Sequence, residues 1–496
     1  MQRDGLPQDN SSSLMARVPH RGRVGLWLLL ALAAALRVWK IGDKNIWLDE
    51  SVSWENATAS VRQLMWNSVT DIHPPLYYLL LKPWIWMWGD SLSAMRSLSA
   101  LASVVALYLL FRLVDGAMPT GVCYAVVLWC VVSPHEVHYA QEIRAYALLT
   151  AATLGLCLAY RRWIESGGEG RSPLALYAIA TAIALSLHYF AALVVAALWL
   201  HFVFGGGRRA VPRRTWRAWF VANAVVAVAY APWVIAAVRF STWNAWFAPV
   251  RIAELPGYAA TQLRWMTFGY YEVAGWQSWS YVVTLGVLGG GGVLLLAAIA
   301  QRCDERDVFF ACVAYGPVLV GLLLVPVAGD ITLARYLPYA TPLMVAAAGL
   351  GWSRTQLTPR TVTAIVGIGS LGLLPSLSAY YRAPIKDVDP RPIVAFLMTH
   401  VRHADGETPG QVLVAPGYIS TLMRYYSRSA IEYQKVKRSD VHFMDRDVSS
   451  GGRDTWILVD QAWPNFEEIG EDTRLTPVDV PGNDPNKMRL FRIARD

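Results

Sequence analysis

An acidic pair and a nearby histidine are the residues of this chain whose types and spacing best suit chemistry. Asp49 and Glu50 stand in the run Trp-Leu-Asp-Glu-Ser, and His73 precedes two prolines in Asp-Ile-His-Pro-Pro-Leu. A carboxylate can act as a general base toward a hydroxyl. Acidic side chains also stabilise the N-terminus of a helix, and the two prolines are typical of a first helical turn. The residues alone leave the catalytic and the capping interpretation open.

Three later segments between apolar stretches carry further acidic side chains, histidines and arginines. One reads Ser-Pro-His-Glu-Val-His-Tyr-Ala-Gln-Glu-Ile-Arg-Ala-Tyr, one is a His-Tyr pair at a tight turn, and one is an Arg-Tyr pair that opens a late apolar segment. Arginines that begin such a segment also snorkel to lipid headgroups. The irregular histidine spacing favours surface histidines, and no metal is predicted. The residues are His135, Glu136, His138, Gln141, Glu142, Arg144, Tyr146, His188, Tyr189, Arg335 and Tyr336.

The composition indicates what kind of element must position these residues. Of the 496 residues, 55% are hydrophobic, 16% are charged and 12% are aromatic, an apolar content above that of an ordinary soluble domain. The formal net charge of +8 comes from short basic clusters between apolar stretches, which is typical of cytoplasmic loops. The five cysteines form neither a disulfide framework nor a zinc-binding spacing. We therefore expect a multi-span membrane protein without a nucleic-acid partner.

Long apolar stretches predict a mainly α, polytopic fold with about 11–13 transmembrane helices. The segment 74–88 is short, contains Lys82 and Pro83, and is rich in Trp and Tyr. Since these aromatic residues favour the membrane interface, we expect an interfacial or partly inserted helix there; if it crosses, the number of spans rises by one. The predicted spans are residues 24–40, 92–114, 119–134, 144–160, 173–188, 190–205, 217–239, 280–300, 308–328, 337–352 and 361–379.

The positions of Arg and Lys predict the orientation in the membrane, because these residues are retained on the cytoplasmic side. With an uncleaved first helix and a cytoplasmic tail over residues 1–23, every basic cluster falls inside. The membrane domain then covers 24–380, with its first outer loop at 41–91. We expect a multi-pass protein of the cell (inner or plasma) membrane, with the candidate chemical groups of four separate segments on its outer face.

Five motifs, taken in order, resemble the GT-C glycosyltransferases. They are Asp-Glu after the first span, His-Pro-Pro-Leu, Gly89 and Arg96 in Gly-Asp-Ser-Leu-Ser-Ala-Met-Arg, then Tyr-Ala-Gln-Glu-Ile-Arg-Ala-Tyr-Ala-Leu, and Ala-Arg-Tyr-Leu-Pro-Tyr-Ala-Thr-Pro-Leu. The pattern looks most like family 39, the bacterial relatives of protein O-mannosyltransferases and of the lipid A aminoarabinose transferase. It is strong over 41–160, weaker over 331–350 and absent from the C-terminal tail.

The resemblance implies a polyprenyl-phosphate-linked sugar donor and an acceptor hydroxyl on a glycan, a lipid or a protein. Similar enzymes invert the anomeric carbon with one base, no covalent intermediate and no cofactor. On this basis Asp49 is the predicted general base and Glu50 supports it. Cations near the departing phosphate stabilise its charge. The predicted phosphate-binding residues are His73, Arg96, Arg144, Arg335 and Tyr336, and the predicted site-lining residues are Gln141, Glu142, Tyr146, His188 and Tyr189.

Two other functions fit the same composition. A flippase or transporter of polyprenyl-linked glycans would also be basic, helical and aromatic, although paired internal repeats are not evident in the sequence. A catalytically inactive relative that binds lipid is the other alternative. Loss of transfer in an Asp49→Asn variant that still binds donor would favour the transferase.

The composition changes after Tyr380, where a linker rich in Pro and Asp begins. Gln-Val-Leu-Val-Ala-Pro and Thr-Trp-Ile-Leu-Val-Asp predict buried strands, residues 418–426 a helix and residues 488–493 a closing strand. We therefore expect a small extracytoplasmic α/β domain over 381–496. Acceptor recognition or capping of the site is its candidate role.

Overall fold

The computed structural model describes most of the chain. The predicted cytoplasmic tail lies largely outside the described residues, as do Pro384 and Asp387 of the predicted linker and Cys303. The described residues are 20–71, 73–241, 250–270, 277–302, 304–329, 331–383, 386, 389–400, 411–415, 419–428, 431, 433–435, 455–460 and 475–493.

Helices dominate the described residues, and the strands lie near the C-terminus. A short 3₁₀ helix, Ile252–Glu254, precedes α13. The helices are α1 (His20–Val38), α2 (Leu48–Thr58), α3 (Val61–Thr70), α4 (Leu76–Trp88), α5 (Leu92–Val114), α6 (Thr120–Val132), α7 (Pro134–Ala140), α8 (Tyr146–Glu165), α9 (Arg171–Leu187), α10 (Ala191–Val203), α11 (Gly207–Ala210), α12 (Arg213–Phe240), α13 (Leu255–Phe268), α14 (Gln277–Arg302), α15 (Glu305–Ala328), α16 (Leu333–Tyr336), α17 (Ala340–Ser353), α18 (Pro359–Leu371), α19 (Leu374–Arg382), α20 (Arg391–His400) and α21 (Ile419–Ser427). The strands are β1 (Gln411–Ala415), β2 (Tyr433–Lys435), β3 (Thr455–Asp460), β4 (Leu475–Val478) and β5 (Met488–Ile493).

The chain forms two compact units whose boundaries the sequence did not indicate. The first, which we call the helical unit, contains residues 1–41, 65–77 and 96–382. The second, which we call the mixed unit, joins residues 42–64 and 78–95 of the predicted outer loop to residues 383–496. Most of the loop predicted to carry the base therefore folds with the C-terminal part of the chain.

The helical unit is built from membrane-type helices. Among the described residues, five helices are long and apolar enough to cross a membrane: α5, α12, α14 from Trp279 onward, α15, and the pair α18–α19 over Pro359–Arg382. A sixth candidate is the pair α6–α7, which bends by 58°. These helices confirm the prediction of a mainly α, multi-pass membrane protein.

Each of the eleven delimited spans contains a helix, but several helices are shorter than predicted. The helices α6, α10 and α17 have 13, 13 and 14 residues. At 1.5 Å per residue such helices fall short of a bilayer core of about 30 Å. Irregular backbone at this depth is tolerated where protein buries it, and α17 is almost wholly buried. Five or six helices among the described residues are both long and apolar enough to cross a membrane, where about eleven spans were expected, because the sequence pattern did not show such breaks.

Helix α4 corresponds to the aromatic segment 74–88, whose crossing was left open. It has 13 residues, contains Pro83 within the helix, and begins after Pro74 and Pro75. A helix of this length extends about 20 Å. This length agrees with the prediction that the segment is not a full transmembrane span.

The mixed unit contains the predicted C-terminal α/β fold. Its sheet has the strand order β2-β1-β3-β5-β4, with β1 parallel to β2 and β3, and β5 antiparallel to β3 and β4. Alternate residues of β1, Val412 and Val414, pack against Ile393, Leu397 and Met423 in one apolar core. The predicted strands at β1, β3 and β5 and the predicted helix at α21 are confirmed, whereas the short strands β2 and β4 were not predicted.

Candidate functional site

The break between α6 and α7 places a polar segment inside the helical unit. Pro134 occupies the first turn of α7 and lacks a backbone N–H, while the hydroxyl of Ser133 accepts a hydrogen bond from the Glu136 N–H at 3.4 Å. These residues end one helix and begin the next. The chain then continues through the loop 141–145, which carries Arg144.

Arg37 of α1 satisfies the carbonyl groups that this break exposes. A helix end leaves its last carbonyls without intrahelical donors. The guanidinium of Arg37 is fully buried and donates to the Cys130 carbonyl at 3.1 Å, the Val131 carbonyl at 3.2 Å and the Ser103 hydroxyl at 2.7 Å. The bend is therefore fixed by a side chain that lies outside α6 and α7.

Gln141, predicted to line the site, connects the loop to two neighbouring helices. Its amide nitrogen donates to the Arg37 carbonyl at 2.9 Å and the Trp39 carbonyl at 2.8 Å, and its oxygen accepts from the Tyr380 hydroxyl at 2.8 Å. The Ser99 hydroxyl of α5 donates to the Arg144 carbonyl at 3.3 Å. These contacts hold the backbone of the loop on both sides of Arg144.

Arg144 and His73 meet although they are 71 residues apart in sequence. Arg144 Nη2 lies 2.8 Å from His73 Nε2. Since a guanidinium only donates, His73 Nε2 must accept, and the ring proton of the neutral imidazole resides on Nδ1. That nitrogen faces the Asp71 carboxylate at 3.5 Å. Asp71 and His73 therefore orient Arg144, which is 4% exposed.

His188 adds a buried donor to this cluster. Its Nδ1 accepts a hydrogen bond from the Phe190 backbone N–H at 3.2 Å, so the neutral ring carries its proton on Nε2. His188 Nε2 is buried and has no hydrogen-bond partner among the described residues, and the residue is 4% exposed. Burial, together with nearby His73 and Arg144, holds the pKa of His188 well below its usual value. His188 is thus a buried ring whose Nε2–H makes no hydrogen bond within the described part of the chain.

Aromatic rings surround this donor. The ring of His188 lies 5.7 Å from the His73 ring and 5.3 Å from the Tyr336 ring, measured between centroids. The Tyr146 ring lies 6.3 Å from it, and the Arg144 guanidinium carbon lies 5.9 Å from the centroid of that tyrosine. The structure thus brings together five predicted site residues: His73, Arg144, Tyr146, His188 and Tyr336. We call these five residues the Arg144 cluster.

Helix α16, which carries Arg335 and Tyr336, is held through the backbone of Ala334. The Ala334 N–H donates to Gln262 Oε1 at 2.9 Å, and the Ala334 carbonyl accepts from His135 Nε2 at 2.9 Å. A four-residue helix has little stability of its own. These bonds from α13 and α7 therefore determine where Arg335 and Tyr336 lie.

A second group of polar aromatic residues lies near Arg335. The hydroxyls of Tyr139 and Tyr270 are 2.6 Å apart, and burial raises the pKa of Tyr270 to about 12 although Arg335 opposes that rise. His138 Nε2 lies 3.4 Å from Glu142. Within the described ranges, no three His, Cys, Asp or Glu side chains are grouped as metal ligands.

Two other predicted site residues make contacts outside the Arg144 cluster. Arg96 is buried and donates to the Ile41 carbonyl at 2.9 Å. The Tyr189 hydroxyl accepts from the Trp233 indole N–H at 3.1 Å. Arg96 thus contacts the segment after α1, and Tyr189 connects the turn after α9 to α12.

Asp49 and Glu50 belong to the mixed unit and stand in the first turn of α2. Glu50 is buried and pairs with Lys386 Nζ at 2.9 Å, with side-chain exposures of 0% and 3%. Asp49 is only half-buried. Glu50 is thus engaged in a buried ion pair, and Asp49 is the more exposed of the two carboxylates.

Sequence analysis missed several residues that shape these sites. Lys386 lies in a linker rich in Pro and Asp, 336 residues from Glu50. Phe190 acts through its backbone N–H, and Gln262 through an amide in an unremarkable helix. Among the missed residues, only Asp71 offered a local signal, since it stands two residues before His73.

Comparisons with known proteins identify the fold. Neither a protein-family model nor a curated protein matches the sequence. ArnT from Cupriavidus metallidurans in the apo state matches with a TM-score of 0.62 at 12% sequence identity, over 95% of this chain and 98% of that chain. ArnT bound to undecaprenyl phosphate matches with a TM-score of 0.60 at 12% identity, over 96% and 98%.

A third similar structure comes from an archaeon. AglB, the oligosaccharyltransferase from Archaeoglobus fulgidus in complex with an inhibitory peptide and a dolichol-phosphate, matches with a TM-score of 0.57 at 9% identity, over 89% of this chain and 69% of that chain. Together these matches confirm the predicted resemblance to GT-C proteins at the level of the fold.

Proposed function

We propose that this chain is a membrane glycosyltransferase that moves a sugar from a polyprenyl-phosphate donor to an acceptor hydroxyl on the outer face of the membrane. Its fold is similar to that of ArnT, which has been solved bound to undecaprenyl phosphate, and to that of AglB, solved with dolichol-phosphate. A shared fold leaves the chemistry to the residues of the site. The proposal therefore depends on what the Arg144 cluster can bind.

The observation that carries the proposal is the arrangement of donors around Arg144. A buried guanidinium held by His73 lies beside His188, whose Nε2–H has no partner in the described ranges of the chain. A phosphate has oxygens that accept from both, and bonds between a guanidinium and a phosphate are among the strongest in proteins. An anionic headgroup would also remove the cost of leaving a buried N–H unsatisfied.

The same donors suit the chemical step. The acceptor oxygen bonds to the anomeric carbon while the bond from that carbon to the phosphate oxygen breaks. The electron pair of the broken bond leaves on the polyprenyl phosphate, where negative charge grows. A fixed cation and a fixed N–H in a dry site stabilise this charge more than water would. Arg144 and His188 are the proposed groups for this task, with Arg335 and Tyr336 on α16 in support.

Asp49 is the proposed general base. It would take the proton of the acceptor hydroxyl as that oxygen attacks, and a single base without a covalent intermediate gives inversion at the anomeric carbon. Glu50, which is buried and paired with Lys386, is the proposed supporting residue. The sugar and the acceptor stay open.

Reconstituted full-length protein tests the proposal with undecaprenyl-phosphate-linked sugars as donors and envelope glycan extracts as acceptors. Wild-type protein should release undecaprenyl phosphate and form a new glycosidic product. Asp49→Asn should bind undecaprenyl phosphate but lose transfer, whereas Arg144→Gln should lose both. Wild-type transfer rates in Asp49→Asn would rule out Asp49 as the base.

The same vesicles distinguish the transferase from a flippase and from an inactive relative. A flippase would move labelled lipid-linked sugar across the bilayer without forming a glycosidic bond. An inactive relative would bind undecaprenyl phosphate without either reaction. Both outcomes contradict the proposed transferase.

A further inference from the structure

Helix α2, which carries Asp49, is held by polar contacts. Its buried residues are Glu50, Ser51, Ser53, Asn56 and Ala57, so the face that it turns inward is largely polar. Most helices in proteins are stabilised by burying an apolar face, and an isolated helix of 11 residues is marginal in water. The position of α2 must therefore depend on specific hydrogen bonds and ion pairs.

Lys386 contacts the first turn of α2 and the residues before it. Its ammonium group pairs with Glu50 at 2.9 Å, and its backbone N–H donates to the Asn45 side-chain oxygen at 2.9 Å. The Ile46 N–H donates to the Tyr426 hydroxyl at 3.0 Å. Two parts of the C-terminal segment thus hold the residues that lead into α2 and its first turn.

Helix α21 holds the middle of α2. Glu55 accepts from Arg424 at 3.1 Å and from the Thr421 hydroxyl at 2.8 Å. The Trp54 ring packs edge-on against Tyr425, with centroids 5.4 Å apart. Helix α21 has its own apolar core contacts through Met423. It therefore forms a fixed base for α2.

Residues of the same outer loop complete these contacts. Asp90 accepts from the Trp54 indole N–H at 3.1 Å and pairs with Arg428. Lys82 donates to the Ala57 carbonyl at 3.1 Å and the Ala59 carbonyl at 2.6 Å, which are carbonyls of the C-terminal end of α2. Contacts thus reach the start, the middle and the end of α2.

We infer that the C-terminal part of the mixed unit positions the proposed base, with Lys386, Thr421, Arg424 and Tyr426 acting as a clamp on α2. This inference rests on the proposed role of Asp49 and gives the C-terminal domain a task within transfer. Glu50 and Lys386 are its central positioning residues, since their pair lies one residue from Asp49. Neither residue is proposed to touch the reacting atoms.

The burial of the Glu50–Lys386 pair makes it decisive for the position of α2. Removing one partner of a buried pair leaves the other charge without compensation, whereas replacing both by neutral residues is far better tolerated. A single neutralised partner should therefore displace the first turn of α2, and the doubly neutralised variant should not. This non-additivity assigns the effect to the pair, and a change confined to α2 separates positioning from a general loss of stability.

The test compares full-length wild-type protein with Glu50→Gln, Lys386→Met and the double variant, all in lipid nanodiscs. Hydrogen–deuterium exchange of the α2 amides should speed up at least about tenfold in each single variant and return toward the wild-type rate in the double variant. In transfer assays the single variants should lose at least about tenfold in kcat, while KM for the undecaprenyl-phosphate-linked donor stays within about twofold. Asp389→Asn, which breaks the exposed pair with Arg391, is the matched control and should change neither quantity.

Three results would overturn the inference. They are unchanged α2 exchange in both single variants, exchange that rises equally along the whole chain, and loss of undecaprenyl phosphate binding in proportion to kcat. The first means that the pair does not fix α2, and the others mean that it serves general stability. Hydrogen–deuterium exchange of α2 can be measured without transfer activity. A wild-type protein that transfers no sugar would therefore contradict the proposed function, while the exchange data would still test the clamp.

Discussion

At the scale of single residues, the Arg144 cluster pairs a permanent cation with a neutral donor. Arg144 is oriented by His73, and the tautomer of His188 is set by the Phe190 N–H. The low pKa of His188 follows from burial and from its cationic surroundings. A neutral ring that donates through Nε2 adds a hydrogen bond to a phosphate without adding a second buried charge.

Replacing His188 tests this assignment. His188→Phe keeps an aromatic ring against Tyr336 but removes the Nε2–H, so affinity for undecaprenyl phosphate should fall about tenfold, as expected for one hydrogen bond to a charged group. His188→Gln places an amide donor at a similar distance and should retain more of the affinity. Calorimetry or fluorescence titration in nanodiscs measures both. Wild-type affinity in His188→Phe would show that the residue only packs.

The same residue predicts a pH dependence of stability. Its pKa in the folded protein lies well below the value of about 6.5 expected for the unfolded chain. At pH values above the unfolded-state pKa, the His188 ring is neutral in both the folded and the unfolded state, so its titration does not change the stability of the fold. As pH falls below about 6.5, only the unfolded state gains the proton, so the stability of the fold decreases.

Thermal unfolding between pH 8 and pH 5 checks this prediction. Wild-type Tm should be flat above pH 7 and fall below about pH 6.5. Asp71, His73 and Arg144 face the same cluster, so His188→Phe should reduce the acid-dependent fall without abolishing it. A slope identical to wild type in His188→Phe would assign the effect to the other groups.

At the scale of elements, the position of α16 depends on one residue's backbone. The Ala334 N–H donates to Gln262 of α13, and the Ala334 carbonyl accepts from His135 of α7. The two partners lie 72 and 199 residues from Ala334. Tertiary contacts therefore fix where Arg335 and Tyr336 point.

The variant Gln262→Leu nearly preserves the side-chain volume, but it should destabilise the position of α16. The Ala334 N–H would lose its partner, and an unsatisfied buried donor costs about 1–3 kcal/mol. Affinity for undecaprenyl phosphate should fall several-fold because Arg335 and Tyr336 lose their fixed position. Thr261→Ala, at a half-buried position on the same helix, is the control and should bind as wild type. Equal affinities in the two variants would contradict a role for α16 in binding.

Sequence patterns predicted individual elements well where their periodicity was long or strong. The strands β1 and β3 follow short, nearly continuous apolar runs, β5 follows apolar residues interrupted by arginines, and α21 follows an amphipathic pattern. The strands β2 and β4 have three and four residues, too few for a pattern to be recognised. The bend between α6 and α7 was not predicted, since the predicted span ended at Pro134 and no helix was expected in the polar residues that follow.

At the scale of the whole molecule, the topology that places the site outside the cytoplasm is a prediction from basic residues. The loop 208–217 carries five arginines, and the C-terminal domain follows the last predicted span. These features predict that the loop lies inside and the domain outside.

Cysteine labelling in intact cells tests this topology. Asn486→Cys, at an exposed position of the C-terminal domain, should react with a membrane-impermeant maleimide, whereas Arg209→Cys should react only after the cells are permeabilised. Wild-type protein gives the background, and its Cys123, Cys130 and Cys157 are buried. Labelling of Arg209→Cys in intact cells would indicate the opposite orientation.

The sequence by itself determined the class of this protein. Apolar content, span lengths and basic clusters follow from local composition, and they predict a multi-pass membrane protein with a small C-terminal α/β domain. Ordered motifs such as His-Pro-Pro-Leu and Ala-Arg-Tyr-Leu-Pro-Tyr also indicated a GT-C fold, which the structural matches confirm. Local signals of this kind can be recognised in the sequence without knowing which distant residues are in contact.

Only the tertiary structure decided which residues meet. The contacts between His73 and Arg144, and between Glu50 and Lys386, join positions 71 and 336 residues apart. Partner choice at that range depends on how helices pack and on which buried polar groups still need partners, and neither is encoded in periodicity. For this reason the sequence named the acidic pair, while the fold separated an engaged Glu50 from a half-buried Asp49.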